Sequence, residues 1–391
     1  MVQSTWGAQF RCYGSCLMKK IDTSFPDIYT FRFGEGQISG FLSAMFGFLG
    51  FLAVICYHFP AFLTFPDLHR SYDVYILRVV LLAGLCLSLV LGLVNFLIGR
   101  WRILGLIGIG FSAVATVLGG ATVHHDGSNA FSVLPIGLDW FILDLLLSAL
   151  LFIPIERFFA LRREQPILRS AWRLDLQYFA MTHLFVSLII LISTGTVSRL
   201  CSWSINHSLQ AAVSGLPWFI QFPLVVLVAD LAQYWSHRLM HCVPFLWRFH
   251  AIHHSAKDMD WLASSRLHIG EVMITRTCVL APIFVLGFSQ PVILVYVIYI
   301  GLHGIFVHAN VRFTFGWLRH ILVTPAFHHW HHSEDERARN TNYAVHLPIL
   351  DYIFGSYFFP KGEWPSSYGI GDEKLPQGIA RQQLYPFVGS R

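Results

Sequence analysis

An all-α, polytopic membrane bundle with a histidine-rich helical cap on its cytoplasmic side is the fold this sequence predicts. Three observations carry the prediction. The 391 residues are 55% hydrophobic and only 13% charged, about half the charged share of a soluble domain. Six apolar runs are each long enough to cross a bilayer, which takes roughly 20 residues. Thirteen of the twenty histidines fall between positions 237 and 332. The charge deficit excludes a disordered chain, a nucleic-acid-binding protein and most soluble enzymes. The modest net charge of +5 fits basic loops beside a membrane.

The elements follow in order. Residues 1–37 form a leader without an apolar core, carrying Lys19 and Lys20, so no cleaved signal is expected. Candidate spans lie near 38–57, 74–98, 103–123, 131–155, 178–198 and 217–235. The next apolar stretch, 272–307, is interrupted by Pro282, Gly287 and Pro291 and reads as a hairpin of two short or re-entrant helices. Gly108 and Gly110 imitate part of a dinucleotide fingerprint. No strand precedes them, so they read as helix-packing glycines. Residues 38–175 thus make an N-terminal transmembrane block of unknown role, ending in a basic connector.

Orientation comes from the basic residues of short loops. Arg11, Lys19, Lys20, Arg32, Arg100, Arg102, Arg157, Arg162, Arg163, Arg169 and Arg173 stand on one side, against Arg70 and Arg199 on the other. Eleven against two places the N-terminus, and everything after residue 236, in the cytoplasm. The seven cysteines include no CxxC pair, and they read as ordinary reduced thiols.

The clustered histidines are also ordered. His237 and His241 form an HxxxH. His250, His253 and His254 form an HxxHH, and His328, His331 and His332 form a second. On a helix, positions i and i+4 share a face, so each box can turn several imidazoles toward a metal. Neutral imidazole suits iron, zinc, copper and nickel. Three boxes exceed the needs of one four- to six-coordinate ion and suit two. The HExxH of zinc proteases is absent, as are the Glu-x-x-His pairs of ferritin-like bundles. Asp230, Tyr234, His237 and His241 lie on one helical face. Asp230 falls inside a span, where a carboxylate marks function; its expected role is to accept an N–H from a ligating histidine. His58, His69, His124, His125, His183 and His207 read as loop or interfacial residues. His320, His329 and His346 are left open.

The chain resembles the sterol desaturase/fatty acid hydroxylase superfamily of integral-membrane di-iron oxygenases over roughly 176–370. The resemblance rests on Asp230, Tyr234, Trp235, His237, Arg238 and His241; on Trp247, His250, His253, His254 and Ser255; and on Arg266, His268 and Glu271. It continues through His308, Ala309 and Asn310, then Thr324, Pro325, His328, His331, His332 and Ser333, then Asn342, Tyr343, Asp351, Phe354 and Gly355. Ile269, Ala344, Leu350 and Ser356 stand where the family commonly has Pro, Gly, Trp and Thr. None of these departures removes a box histidine.

The resemblance implies that residues 176–391 form a di-metal catalytic domain. It implies two iron ions (zinc being a substitute in recombinant material) and O2 as co-substrate. The expected ligands are His237, His241, His250, His253, His254, His308, His328, His331 and His332, with His268 as a tenth and His303 in reserve. The implied activity is hydroxylation or desaturation of a lipid C–H bond, with the lipid drawn from the bilayer. An external donor of cytochrome b5, ferredoxin or reductase type would supply electrons, since the chain has no flavin, nicotinamide or Fe–S signature. The bacterial inner membrane and the endoplasmic reticulum both suit such a protein. Two other classes remain as alternatives: a divalent-metal or proton-coupled transporter with a histidine cluster, and an inactive lipid-binding relative.

Overall fold

The computed structural model describes residues 36–65, 73–99, 101–123 and 134–388. Nearly all of the 1–37 leader, with Cys12 and Cys16, lies outside them, as do Arg70, Arg100, His69, His124 and His125. Among the described residues no strand forms, and the regular structure is nearly all helix. They fall into two compact units, one of residues 36–58 with 73–123, the other of 59–65 with 134–388.

The first unit is three apolar helices: α1 (Gln37–His58), α2 (Val74–Ile98) and α3 (Arg102–Val117). Asp73 starts α2 by accepting the Tyr75 N–H at 2.7 Å and the Ile76 N–H at 3.4 Å, supplying partners for free helix-end donors. The three helices touch through small residues. Ser43 Oγ donates to Ser88 O and Ser88 Oγ to Ser43 O, each at 2.7 Å. A Cβ on Gly108 would overlap Ser43, whereas one on Gly110 would meet nothing. So Gly108 serves helix packing, the close-approach device of membrane bundles, and Gly110 does not.

The second unit holds α4 (Leu138–Phe158), α5 (Trp172–Leu184), α6 (Val186–Cys201), α7 (His207–Ser214) and α8 (Trp218–Cys242). It continues with α9 (Pro244–His254), α10 (Ile269–Leu286) and α11 (Gln290–His308). The short α12 (Pro325–His331) and α13 (Ile349–Ile353) follow, and α14 (Ile379–Val388) ends the described chain. Helix α4 packs here, although its sequence is as apolar as that of the helices before it.

Eight described helical stretches are long and apolar enough to cross a membrane: α1, α2, α3 with its continuation to Thr122, α4, α6 with its continuation to Ser204, α8, α10 and α11. The stretch 272–307 is a hairpin, as its Pro and Gly residues indicate, but its arms of 18 and 19 residues each reach spanning length. Pro291 sits at the start of α11 and Pro282 inside α10. The break is at Gly287, whose φ of +68° closes α10. That conformation costs glycine little, and a Cβ there would also strike the Gln210 side chain at 2.6 Å. The expected span 178–198 is divided at Phe185 between α5 and α6.

Helix α8 runs unbroken through His237 to Cys242. Its apolar side packs with α10 and α11 through Val225, Val226, Ala229, Ile283, Val292 and Tyr296. A second buried cluster of Tyr234, Val307, Val323, Phe327, Tyr343 and Leu350 lies under the histidine boxes. These two apolar layers pack α8, α10 and α11 together beside the site, whose histidines stand on α8, α9, α11 and α12.

Candidate metal centre

Nine histidines form two groups. His237, His241, His250, His254 and His331 make a cluster of five; His253, His308, His328 and His332 make a cluster of four. Within each cluster one ring nitrogen per residue lies within 4.8 Å of the others. Both HxxHH boxes are split by helix geometry. The i and i+4 members, His250 with His254 and His328 with His332, stay together. The i+3 members, His253 and His331, go to the opposite cluster. The spacing suggested that each box converges on one point. At 3.6 residues per turn, neighbouring i+3 and i+4 side chains diverge by about 100°, so each box contributes to both clusters.

Hydrogen bonds on the far side of the rings fix their tautomers. The Nδ1–H of His237 donates to Tyr343 O at 2.7 Å and that of His331 to Thr341 O at 2.8 Å. The Nδ1–H of His308 donates to Gly304 O at 2.7 Å and that of His253 to Arg266 O at 3.2 Å. The Nδ1–H of His250 donates to Glu271 Oε1 at 2.6 Å. Carbonyl and carboxylate oxygens only accept, so in a neutral ring the opposite Nε2 carries a bare lone pair. Yet Nε2 of His237 faces Nε2 of His250 at 2.9 Å, and Nε2 of His253 faces Nε2 of His308 at 3.1 Å. No proton is available to bridge the His253–His308 pair, and none bridges His237 and His250 while Glu271 is a carboxylate.

Adding protons is disfavoured by the surroundings. Burial first, and neighbouring imidazoles second, hold His250, His253, His254, His328, His331 and His332 well below the usual histidine range. Lone pairs converging in a dry site call for a cation. Nitrogens bound at about 2.1 Å and at right angles around one ion are about 3.0 Å apart, which matches the observed spacing. The donor set therefore fits a metal in each cluster, of the imidazole-binding class that includes iron and zinc.

The same burial gives a pH dependence. These rings have a lower pKa folded than the roughly 6.5 of an unfolded chain, so the unfolded state binds more protons. Their contribution to stability is present above about pH 6.5 and is lost as the pH falls below it. Protons also displace metal from imidazole. Unfolding temperature and metal content, measured from pH 7.5 to 5.5, are expected to fall together across that interval. A flat profile would show that the rings are not held neutral.

The remaining candidates lie elsewhere. His268 begins α10, where its Nδ1 accepts the Gly270 N–H at 2.8 Å and its Nε2–H donates to Gln383 O at 2.9 Å. Both ring nitrogens are engaged, and His268 joins neither cluster. His303 donates from Nε2 to Val323 O at 3.0 Å and meets His346 through Nδ1 at 2.9 Å. His329 contacts Tyr368 Oη at 2.9 Å, and His320 contacts Tyr352 Oη at 3.0 Å.

Asp230 accepts no ring N–H. It receives backbone N–H groups of Val345 at 3.0 Å, His346 at 3.2 Å and Leu347 at 2.6 Å. Seven residues of helix put it about 10 Å along the axis from His237, level with a returning loop whose donors need partners. The carboxylate that does orient a box histidine is Glu271, in the first turn of α10. Its sequence signal is a lone acid at the start of an apolar helix.

Two cavities reach the clusters. One, of about 240 Å³, lies among α8, α10 and α11 and is lined by His237, His250, His253, His308 and His328 together with Met240, Leu267, Gly301, Gly304 and Ile305. It touches both clusters. The other, of about 550 Å³, meets only the five-histidine cluster, at His241, His254 and His331, and is rimmed by Glu334, Asp335, Glu336, Asp372 and Glu373.

Comparison with known proteins agrees with this geometry. The fatty acid hydroxylase family model matches residues 222–356. An ornithine lipid hydroxylase of Rhizobium tropici is 34% identical over 172 residues, 44% of this chain and 51% of that protein. The human alkylglycerol monooxygenase is 31% identical over 140 residues, 36% of this chain and 30% of that protein. A very-long-chain aldehyde decarbonylase of Oryza sativa subsp. japonica is 28% identical over 158 residues, 38% of this chain and 24% of that protein. The matched region thus spans about half the length of the first of these relatives and less of the others. No solved structure matches the chain. The segment similar to the fatty acid hydroxylase family runs from within α8 through α13 and holds every histidine of both clusters.

Proposed function

We propose that the protein is a membrane-bound di-iron oxygenase that hydroxylates or desaturates a C–H bond of a lipid. The observation that carries the reading is the pair of lone-pair contacts, His237 with His250 and His253 with His308, one in each cluster and both lining the same cavity. Bound iron would supply the binding and reductive activation of O2. A hydroxylation balances as a C–H bond plus O2, two electrons and two protons giving an alcohol and water, so an electron donor of cytochrome b5, ferredoxin or reductase type is required.

The chain's own residues do the rest. The nine histidines hold the ions, five of them with tautomers set by carbonyl or carboxylate partners. Glu271 orients His250 and presents a second, unpartnered oxygen, Oε2, in buried surroundings. Met240, Leu267, Ile305 and Val307 exclude water from the cavity between the spanning helices and favour an apolar chain entering from the bilayer. The lipids named for the relatives, ornithine lipid and alkylglycerol, indicate the class to try first. Basic loop bias supports cytoplasmic clusters, in a bacterial inner membrane or endoplasmic reticulum.

A transporter would place ligands near the middle of the membrane on broken helices. Here His237, His241 and His308 occupy the last turns of unbroken α8 and α11. The test is 18O2 incorporation. Purified protein with a reduced donor and bilayer lipids is expected to bind about two ions per chain and to yield an 18O-labelled product, or a desaturated one with labelled water. Metal uptake into proteoliposomes without any oxygen-dependent product would replace this reading with the transporter.

A further inference from the structure

The two clusters are built alike at their centres and differently around them. In the five-histidine cluster, three rings are anchored from behind: His237 on Tyr343 O, His331 on Thr341 O and His250 on the Glu271 carboxylate. In the four-histidine cluster, His308 is anchored on a carbonyl of its own helix and His253 on a longer 3.2 Å bond. Nδ1 of His328 and of His332 are buried with no partner, as is Nε2 of His241 in the larger cluster.

Two of the three anchors of the larger cluster come from one strap, residues 341–347. Asn342 takes a left-handed φ of +60° between the two anchoring carbonyls. Its side-chain Nδ2 donates to Phe327 O at 3.1 Å and Phe358 O at 2.8 Å, and its Oδ1 accepts the Phe358 N–H at 2.8 Å. Two buried carboxylates carry the rest. Asp351 accepts the N–H of Tyr343 at 2.7 Å and of Ala344 at 2.9 Å. Asp230 accepts those of Val345, His346 and Leu347. Ser356 Oγ donates to Asp351 at 2.7 Å. Asp230 and Asp351 thus act on the histidines through the strap's backbone.

We propose that the two positions hold metal unequally: the strap 341–347, fixed by Asp230 and Asp351, makes the five-histidine position the tight one and leaves the four-histidine position labile. Partners behind metal-binding histidines commonly change affinity about 10–100-fold, and the strap supplies two of them to one cluster and none to the other. Asp230 and Asp351 are positioning residues for His237 and His331. The inference rests on the reading that both clusters bind metal.

A chelator titration of the full-length protein in detergent, loaded with iron(II) or zinc, tests it. The wild type is expected to release about one ion per chain at low chelator and the second only at about 10-fold or more higher concentration. His332→Ala, which dismantles the labile position, should keep a single ion with the tight release. Asp351→Asn should shift the tight release at least about 10-fold toward lower chelator while leaving the first release in place, and should alter the absorption bands of the cobalt(II) form. Ser356→Ala is a milder change at the same point, should Asp351→Asn not fold, and should shift the tight release in the same direction. A purely structural Asp351 would move both releases together or neither, and that result overturns the proposal. So does simultaneous release of two ions from the wild type, or a weakly held ion in His332→Ala. A wild type that takes up fewer than two ions sinks the two-metal reading itself, and the inference with it.

Discussion

Replacing His254 with alanine is expected to reduce bound metal from about two ions per chain to one or none and to abolish oxygen-dependent turnover. His254 Nε2 lies 3.1 Å from His250 Nε2 and 3.0 Å from His331 Nε2, so it joins two boxes within one cluster. Its ring also stacks on His332 of the other cluster, with centroids 4.3 Å apart. Deletion therefore removes a ligand that links two boxes of the five-histidine position. The loss should exceed the roughly 10–100-fold that follows from changing a partner behind a ligand. The unfolding temperature should drop as well, because metal that binds only the folded chain stabilises it. Elemental analysis, product formation and a thermal melt read the three effects. Two retained ions with unchanged turnover would remove His254 from the ligand set.

Arg169→Ala is expected to destabilise the second unit by about 3–5 kcal/mol, the typical cost of removing one partner from a buried ion cluster. Arg169 is 1% exposed and bonds both oxygens of Asp260, at 2.8 and 2.9 Å, and also Asp175. Asp175 is shared with Arg266 Nε at 2.5 Å. Burial works against the Arg169 charge, yet Asp260 and Asp175 together hold its pKa above the ordinary value. Without it, Asp260 and part of Asp175 become uncompensated charges in a dry interior. The damage reaches the site, because Arg266 also provides the carbonyl that anchors His253. Chemical denaturation in detergent measures the loss. Arg169→Lys should recover only part of it, since an ammonium cannot bond two oxygens of Asp260 side by side. A loss below about 1 kcal/mol would mean that water or a neighbouring cation fills the gap.

What the sequence disclosed about this molecule follows from short-range periodicity. Spans are runs of apolar residues, and ligand pairs are i, i+4 repeats; both are written within one helix. Apart from the division of each HxxHH box between the two clusters, the places where such reading fell short are long-range. Whether 272–307 forms short helices or full spans depends on which of Pro282, Gly287 and Pro291 breaks the chain. Gly287 alone does so, where it meets Gln210 from α7. Asp230 carried the signature of a carboxylate behind a metal ligand, and Glu271 holds that position. The difference lies in a hydrogen bond spanning 21 residues. The strap was invisible for a stronger reason. It anchors His237 through a backbone carbonyl 106 positions away, and a carbonyl is present at every residue whatever its side chain. His268 had the neighbours of a ligand, but the last helix, α14, claims it through Gln383.

The scattering of ligands along the chain also sets an order of assembly. The first box ends α8, and the last ligand, His332, comes 95 positions after His237. Synthesis proceeds at about 5–20 residues per second. Helix α8 therefore enters the bilayer seconds before the partners of its histidines exist. His237 and His241 must wait as bare imidazoles at the membrane edge, and neither pocket for an ion closes until translation has passed residue 332. Because the strap ends at residue 347 and the Asp351 that braces it follows, the tighter position is finished last. Metal delivery to this protein is then a step that follows insertion. A cell that slows it would accumulate chains with every span in place and both histidine clusters still open.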